Sequence, residues 1–263
     1  VVAALALASA ATQAQETRLL RQPTASGTEI AFTYGADIWV VPRTGGAARR
    51  ITSTPAVESD PQFSPDGQWI AFTSDRAGVP AVYVVSARGG EPTRLTWYPS
   101  EAIARGWTPD GDRVLYASSR GTAPSGYNRL WTVARAGGPS TLVANVWGND
   151  AAFSPDGRRV IVDRVRRWDV EWRSYRGGQN TPLVVLDLAT NAETRLPNER
   201  SMDIAPVWLG GKVFFISDRD WASNVWSYDV ATARLAQITH FTGAEVKSLG
   251  ASASQLVFEQ DGY

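Results

Sequence analysis

Apolar and polar residues alternate along this chain in short bursts separated by turn-forming residues. From Gln68 to Ser74, Trp69, Ala71 and Thr73 alternate with Ile70 and Phe72, the period of two that marks a β-strand. Ser64-Pro65-Asp66-Gly67 precedes this burst. Proline presets φ for the second place of a tight turn, serine and aspartate bond back to the local backbone, and glycine takes the positive-φ place. After the burst come a polar loop with Asp75-Arg76, a second β-rich run (Val82-Tyr83-Val84-Val85), a Gly89-Gly90 turn and a short strand at Arg94-Leu95-Thr96. The unit predicts four antiparallel strands, the size of one propeller blade.

The unit recurs. Phe63-Ser64-Pro65-Asp66-Gly67 is followed 44 residues on by Trp107-Thr108-Pro109-Asp110-Gly111, and 46 residues after that by Phe153-Ser154-Pro155-Asp156-Gly157. Outer-strand apolar residues Ile51, Leu95, Leu142, Leu196 and Ile238 repeat with steps of 44, 47, 54 and 42 residues. The fold class expected is all-β: a propeller of four-stranded antiparallel blades, five complete, plus the start of a sixth. Blades fall at about 18–52, 58–96, 102–143, 149–196 and 203–239, with a partial one at 245–263, all within a propeller region of 15–263. A propeller protects its strand edges by closing its ring, so a stop in mid-blade makes the chain read as a fragment of a longer protein.

Composition narrows the function. The 26 basic and 26 acidic residues cancel, which argues against nucleic acid, whose phosphates need a basic face. Cysteine is absent, removing disulfides and thiolate chemistry. Most of the 11 tryptophans are expected in the core. Residues 1–14, rich in alanine, valine and leucine, read as a truncated secretory signal too short to span a membrane. They place the protein in the periplasm or medium.

No catalytic constellation, metal site or cofactor site is expected. His240 is the one histidine, and neither a nucleophile–base pair nor a nitrogen–sulfur zinc site can be assembled around it. The Pro-Asp-Gly turns serve the backbone. The Asp-Arg loops (Asp75-Arg76, Asp218-Arg219) read as local carboxylate–guanidinium pairs. Blade four carries a 15-residue insertion, Arg164 to Gly178, between its second and third strands. Arginine and aromatics anchor interfaces, which makes Arg166, Trp168, Trp172, Arg173, Tyr175 and Arg176 candidate binding residues. The same residue types also suit a loop folded down on the propeller, its aromatics buried and its arginines paired with Asp163, Asp169 and Glu171.

Trp172-Arg173-Ser174-Tyr175-Arg176-Gly177-Gly178, with Pro182 to Leu188 and Glu193-Thr194-Arg195-Leu196-Pro197 after it, resembles the first propeller of bacterial tricorn protease homologues. Val213 to Arg219, Asn224 to Asp229 and Leu256-Val257-Phe258-Glu259 continue the likeness. The Pro-Asp-Gly repeats are shared with Tol-type and prolyl-oligopeptidase propellers. The resemblance implies a six-bladed first propeller followed by a seven-bladed one, a PDZ module and a serine-peptidase core, in a homo-oligomer. It implies that the propellers govern peptide access and product exit, with peptides or unfolded polypeptide and the downstream domains as partners. None of the family's catalytic residues maps onto this chain. The family's usual location is cytoplasmic, unlike that implied by the leader. Two other readings stand beside it: a Tol-type binding module without enzyme activity, and a propeller fused to another hydrolase.

Overall fold

The structure, a computed structural model, describes residues 19–122, 127–167, 174–252 and 254–260. Among them are five four-stranded antiparallel sheets and one two-stranded sheet. The first is β1 (Arg21–Ala25), β2 (Glu29–Tyr34), β3 (Asp37–Pro42) and β4 (Arg49–Arg50). The second is β5 (Glu58–Phe63), β6 (Trp69–Ser74), β7 (Ala81–Ser86) and β8 (Thr93–Arg94). The third is β9 (Ala102–Trp107), β10 (Arg113–Ser118), β11 (Arg129–Ala134) and β12 (Thr141–Trp147). The fourth is β13 (Asp150–Phe153), β14 (Arg159–Asp163), β15 (Val184–Asp187) and β16 (Glu193–Arg195). The fifth is β17 (Asp203–Leu209), β18 (Lys212–Ser217), β19 (Asn224–Asp229) and β20 (Arg234–Gln237), and the last is β21 (Val246–Ala251) with β22 (Leu256–Gln260). Strands pair in chain order within every sheet. The molecule is a β-propeller of five blades and a partial sixth.

The first strand of each sheet lies against the first strand of the next, from β1 through β5, β9, β13 and β17 to β21. These six are the innermost strands, and β21 and β22 also pack on β1. Gln22 N donates to Glu259 Oε2 at 3.2 Å, Arg21 pairs with Glu259, and a Cβ on Gly250 would run into the Pro23 carbonyl. The ring of inner strands is therefore continuous.

The core consists of apolar layers between neighbouring sheets. Ile38 and Val40 of blade one meet Phe63, Ile70 and Phe72 of blade two. Leu183, Val185 and Leu196 of blade four meet Trp208, Val213 and Phe215 of blade five. Each such side chain contributes about 1.5–3 kcal/mol by leaving water. Ile51, Leu95 and Leu196 are buried beneath the following blade, whereas Ile238 is 47% exposed beside the two-stranded sheet. A threonine follows three of these outer-strand residues and locks strand three: Thr52, Thr96 and Thr239 Oγ1 accept from Ile38, Val82 and Val225 N, each at 2.9 Å.

The antiparallel order gives the ring two different faces. One, the turn face, carries the links from first to second and from third to fourth strand. Gly67, Gly111 and Gly157 sit there with φ of 69°, 74° and 69°, a conformation glycine adopts without steric cost. Asp66 caps its turn by accepting from Ser64 Oγ and from Gln68 N at 3.0 Å. Asp110 and Asp156 repeat this, and the three carboxyls are held below the usual carboxylate range, first by the Ser or Thr hydroxyl and then by the backbone amide. The opposite face, the loop face, carries the links from second to third strand and from each blade to the next. The described parts of the insertion, 164–167 and 174–178, lie on it, between β14 and β15.

Of the nine described tryptophans, five lie in or pack against the inter-blade layers (Trp69, Trp107, Trp131, Trp208 and Trp226), as expected for most of them, and the rest lie outside those layers. Only Trp107 and Trp208 are buried; Trp39, Trp69, Trp131 and Trp226 are half-buried; Trp97, Trp147 and Trp221 are exposed. Arginines stack on seven of the nine, among them Trp69, Trp131, Trp208 and Trp226 of the core layers and the exposed Trp97, Trp147 and Trp221.

Candidate functional site on the loop face

The innermost strands bulge where they approach the loop face. Gln22, Asp60 and Ala205 take φ of 52°, 53° and 49°, each followed by a proline, and the pairing register shifts at all three places. A left-handed residue in a bulge re-aims its side chain. Here the side chains meet around the ring. Gln22 Nε2 donates to Asp60 Oδ1 at 3.1 Å, and Gln22 Oε1 accepts from Asp60 N at 3.0 Å. Arg105 reaches Asp60 Oδ1 at 3.5 Å, the Asn149 carbonyl at 2.9 Å and Asp150 Oδ1 at 3.9 Å. With Ser248 Oγ donating to Glu259 at 3.0 Å, this polar belt joins five of the six sheets; the fifth blade contributes only Ala205.

Asp150 is the electrostatic weak point of the belt. Burial pushes its carboxyl up to about 6; Arg105 opposes the rise, and Asp163 and Asp60 add to it. Its side chain keeps 24% of its surface in contact with solvent, so water moderates that shift. Asp163, at the end of β14, is also raised by burial, against the attraction of Arg167.

The Asp-Arg loops are built differently from the local pairs expected. Arg76 pairs with Glu58 rather than Asp75, and Arg219 pairs with Asp203 at 2.9 Å rather than Asp218. Glu58 and Asp203 are fully buried at the first position of their innermost strands. Each guanidinium also lies between two rings: Arg76 is 5.6 Å from Phe72 and 4.6 Å from Tyr83, and Arg219 is 5.3 Å from Phe215 and 4.9 Å from Trp226. The pairing runs from the link between the second and third strands to the innermost strand of the same blade, because the loop folds inward over the blade end.

The insertion is tied to three blades. Arg167 is buried, donating to Asp163 Oδ2 at 2.6 Å and to the blade-five carbonyl of Asp203 at 3.0 Å. Arg166 pairs with Glu101 beside blade three, and Arg164 with Glu193 of β16. Arg176 donates to Asp218 Oδ2 at 2.8 Å and to its carbonyl at 2.9 Å, and lies 4.7 Å from the Trp221 ring. The Tyr175 ring lies over Gly177, so a side chain there would require the ring to move aside. Glycine at that position of the Tyr-Arg-Gly-Gly stretch leaves the ring where it is. Of the six candidate binding residues, Arg166, Tyr175 and Arg176 are placed here; Trp168, Trp172 and Arg173 lie outside the described residues. Arg166 and Arg176 sit on opposite flanks of the insertion, one toward blade three and the other toward blade five.

Sequence reasoning missed the exposed aromatics. Nine large hydrophobic residues are exposed among the described residues: Leu19, Tyr34, Val57, Trp97, Tyr98, Tyr127, Trp147, Trp221 and Ile238. Seven precede an innermost strand, follow an outer one or occupy a link from second to third strand, and Tyr34 and Trp147 are the last residues of β2 and β12, so all nine lie at the loop face. Four are covered on one side by a guanidinium: Trp97 by Arg94 at 4.5 Å, Tyr98 by Arg120 at 4.4 Å, Trp147 by Arg129 at 5.2 Å and Trp221 by Arg176. Between blades three and four, Tyr127 and Trp147 wall a cleft of about 500 Å³ that Arg164, Arg166 and Arg195 also line.

The profile of the tricorn protease N-terminal β-propeller domain matches residues 17–263. The chain belongs to that family. Tricorn protease homolog 1 of Streptomyces coelicolor is 32% identical over 259 residues, which cover 95% of this chain and 24% of the homologue. The chain thus spans about a quarter of that relative's length. The crystal structure of the tricorn protease superposes with a TM-score of 0.80 at 22% identity, covering 93% of this chain and 24% of that one. A shorter stretch, 49 residues or 18% of this chain, is 47% identical to the Tol-Pal system protein TolB of Bordetella pertussis, of which it covers 11%. The five blades and partial sixth described above are thus the fold of a tricorn N-terminal propeller. Among the described residues no helix is long and apolar enough to cross a membrane.

Proposed function

We propose that this propeller serves a tricorn-like serine protease as a non-catalytic region that docks peptides or unfolded polypeptide and passes them to or from a peptidase core, and that its loop face is the docking surface. The observation that carries this reading is the gathering of all nine exposed large hydrophobic residues on one face. Trp, Tyr and Arg are the residues that supply most binding energy at interaction sites, and here they are gathered at one face rather than shared between the two. Export through the apolar leader and assembly into a homo-oligomer belong to the same reading; cell fractionation and light scattering check them.

The test is binding of a fluorescent, unfolded casein to the purified protein. Replacing Trp97 and Trp221 together by alanine is expected to weaken binding about tenfold or more, while Arg43→Ala and Arg158→Ala on the turn face leave it unchanged. Equal effects from the two faces would sink the proposal. The local TolB match favours a second reading, a docking module with no attached peptidase. A parent protein, purified at its full natural length, that binds polypeptide and never hydrolyses it would support that alternative.

A further inference from the structure

We propose that the cleft between the third and fourth blades binds acidic side chains of an extended polypeptide segment. The cleft holds about 500 Å³, room for two or three side chains of a bound strand. One wall is aromatic: the Tyr127 and Trp147 rings lie 5.2 Å apart, tilted by 45°, and are 52% and 38% exposed. Three guanidiniums, those of Arg164, Arg166 and Arg195, complete it. No aspartate or glutamate lines the cleft among the described residues. Such a lining attracts anions and repels cations.

The three arginines are not equally engaged. Arg164 is held by Glu193 and Arg166 by Glu101, each carboxylate using only part of a five-donor fork. Arg195 stands exposed on β16 opposite Val184, and among the described residues it has no hydrogen bond or ion pair. A guanidinium with free donors beside an aromatic wall suits a carboxylate flanked by an apolar side chain.

Three of the lining residues also hold unpartnered polar atoms. Asn128 Oδ1, an acceptor, and Thr181 Oγ1, a donor and acceptor, are buried without a partner among the described residues, as is Arg164 Nε. Those atoms lie out of reach of solvent, so the choice of a polypeptide ligand is carried by the aromatic wall beside the guanidiniums, which suits an apolar side chain next to a carboxylate. That the anion is carried on polypeptide rests on the docking role proposed above; that the cleft selects anions does not.

The experiment is calorimetric titration of the purified protein with a short peptide containing Glu-Glu-Phe, acetylated and amidated so that neither terminus is charged. Binding is expected, about tenfold or more weaker for the Gln-Gln-Phe peptide and for Arg195→Gln, and weaker with added salt. Trp147→Ala is expected to weaken it too, and Arg158→Gln on the turn face to leave it intact. Equal affinity for the glutamine peptide, an unaffected Arg195→Gln variant, or heat with inorganic phosphate or a free carboxyl terminus alone would each overturn the proposal. Casein binding that is lost while the acidic peptide still binds would instead remove the broader docking role and leave the cleft as an anion site.

Discussion

The two faces of the ring use the same residue types for opposite ends. On the turn face, aspartates sit in water and serve the backbone. Asp66, Asp110 and Asp156 are held low by a hydroxyl and an amide, and Asp187 and Asp229 chiefly by a threonine amide. On the loop face, Asp150 and Asp163 are pushed up by burial, and Glu58 and Asp203 are buried against arginines. Exposed aromatics are absent from the first face among the described residues and collected on the second. The difference teaches that the turns are satisfied locally, while the loop face holds its shape through long-range ion pairs and leaves its rings available.

The largest test of that division removes a loop-face pair. Arg219→Ala leaves Asp203 buried and unpaired, a change that costs about 3–5 kcal/mol, read as a lower midpoint in urea. Replacing Asp66 on the turn face by alanine costs about 1 kcal/mol, the scale of a lost turn hydrogen bond. Similar losses at the two positions would erase the distinction.

Gly67→Ala sharpens the turn-face half. Its φ is +69°, and the added Cβ would meet Ser26 Cβ at 3.0 Å. The left-handed conformation alone costs about 1–2 kcal/mol for alanine. Stability is expected to fall by that amount while casein binding by the folded protein is unchanged.

The faces also titrate in opposite senses. The turn-face carboxyls are lowered, so their stabilisation is complete above the ordinary value of 3.8 and is lost as pH falls through their lowered values. Asp150 is raised to about 6, so folding favours its protonated form, and stability declines as pH rises from about 4 to about 6. The unfolding free energy is expected to peak near pH 4, where the rise from the turn-face carboxyls ends and the decline from Asp150 begins. Asp150→Asn removes the decline and gains about 1–2 kcal/mol at pH 7.5, less than full burial would give because the side chain is partly hydrated. Parallel urea titrations of the two proteins at pH 4.5, 6 and 7.5 would show it; an unchanged slope in the variant would break the assignment to Asp150.

Much of the scaffold was legible because it repeats. Period-two alternation and Pro-Asp-Gly turns are local signals, and Ile51, Leu95 and Leu196 announce the outer strands before any pairing is known. The partners of Arg76 and Arg219 were not legible, since Glu58 and Asp203 precede them by 18 and 16 residues and belong to a different strand of the blade. Trp97 and Trp221 escaped for another reason. Nothing in the composition of a link between strands says whether a ring in it turns inward or outward. Arg166 and Arg176 were legible as candidates, but the cleft near Arg166 also needs Tyr127, Trp147 and Arg195, which lie on separate strands and links.

The smallest expected change in stability is the most telling about purpose. Trp221 is 69% exposed and takes φ of 64°, an outlying conformation for so bulky a residue. Strain of this kind persists where the surroundings over-determine it; here Arg176 lies 4.7 Å from the ring, and the Trp221 amide donates to the Asp218 carbonyl at 2.9 Å. Trp221→Gly relieves the backbone and loses only an exposed cation–π contact of about 0.5–1 kcal/mol, so stability should shift by less than about 0.5 kcal/mol in either direction. Casein binding should weaken nonetheless, because the ring that the strained backbone presents to solvent is gone. A variant that melts like the parent and binds like the parent would show that the ring is not there for a partner, and the contrast between the faces would reduce to one of packing alone.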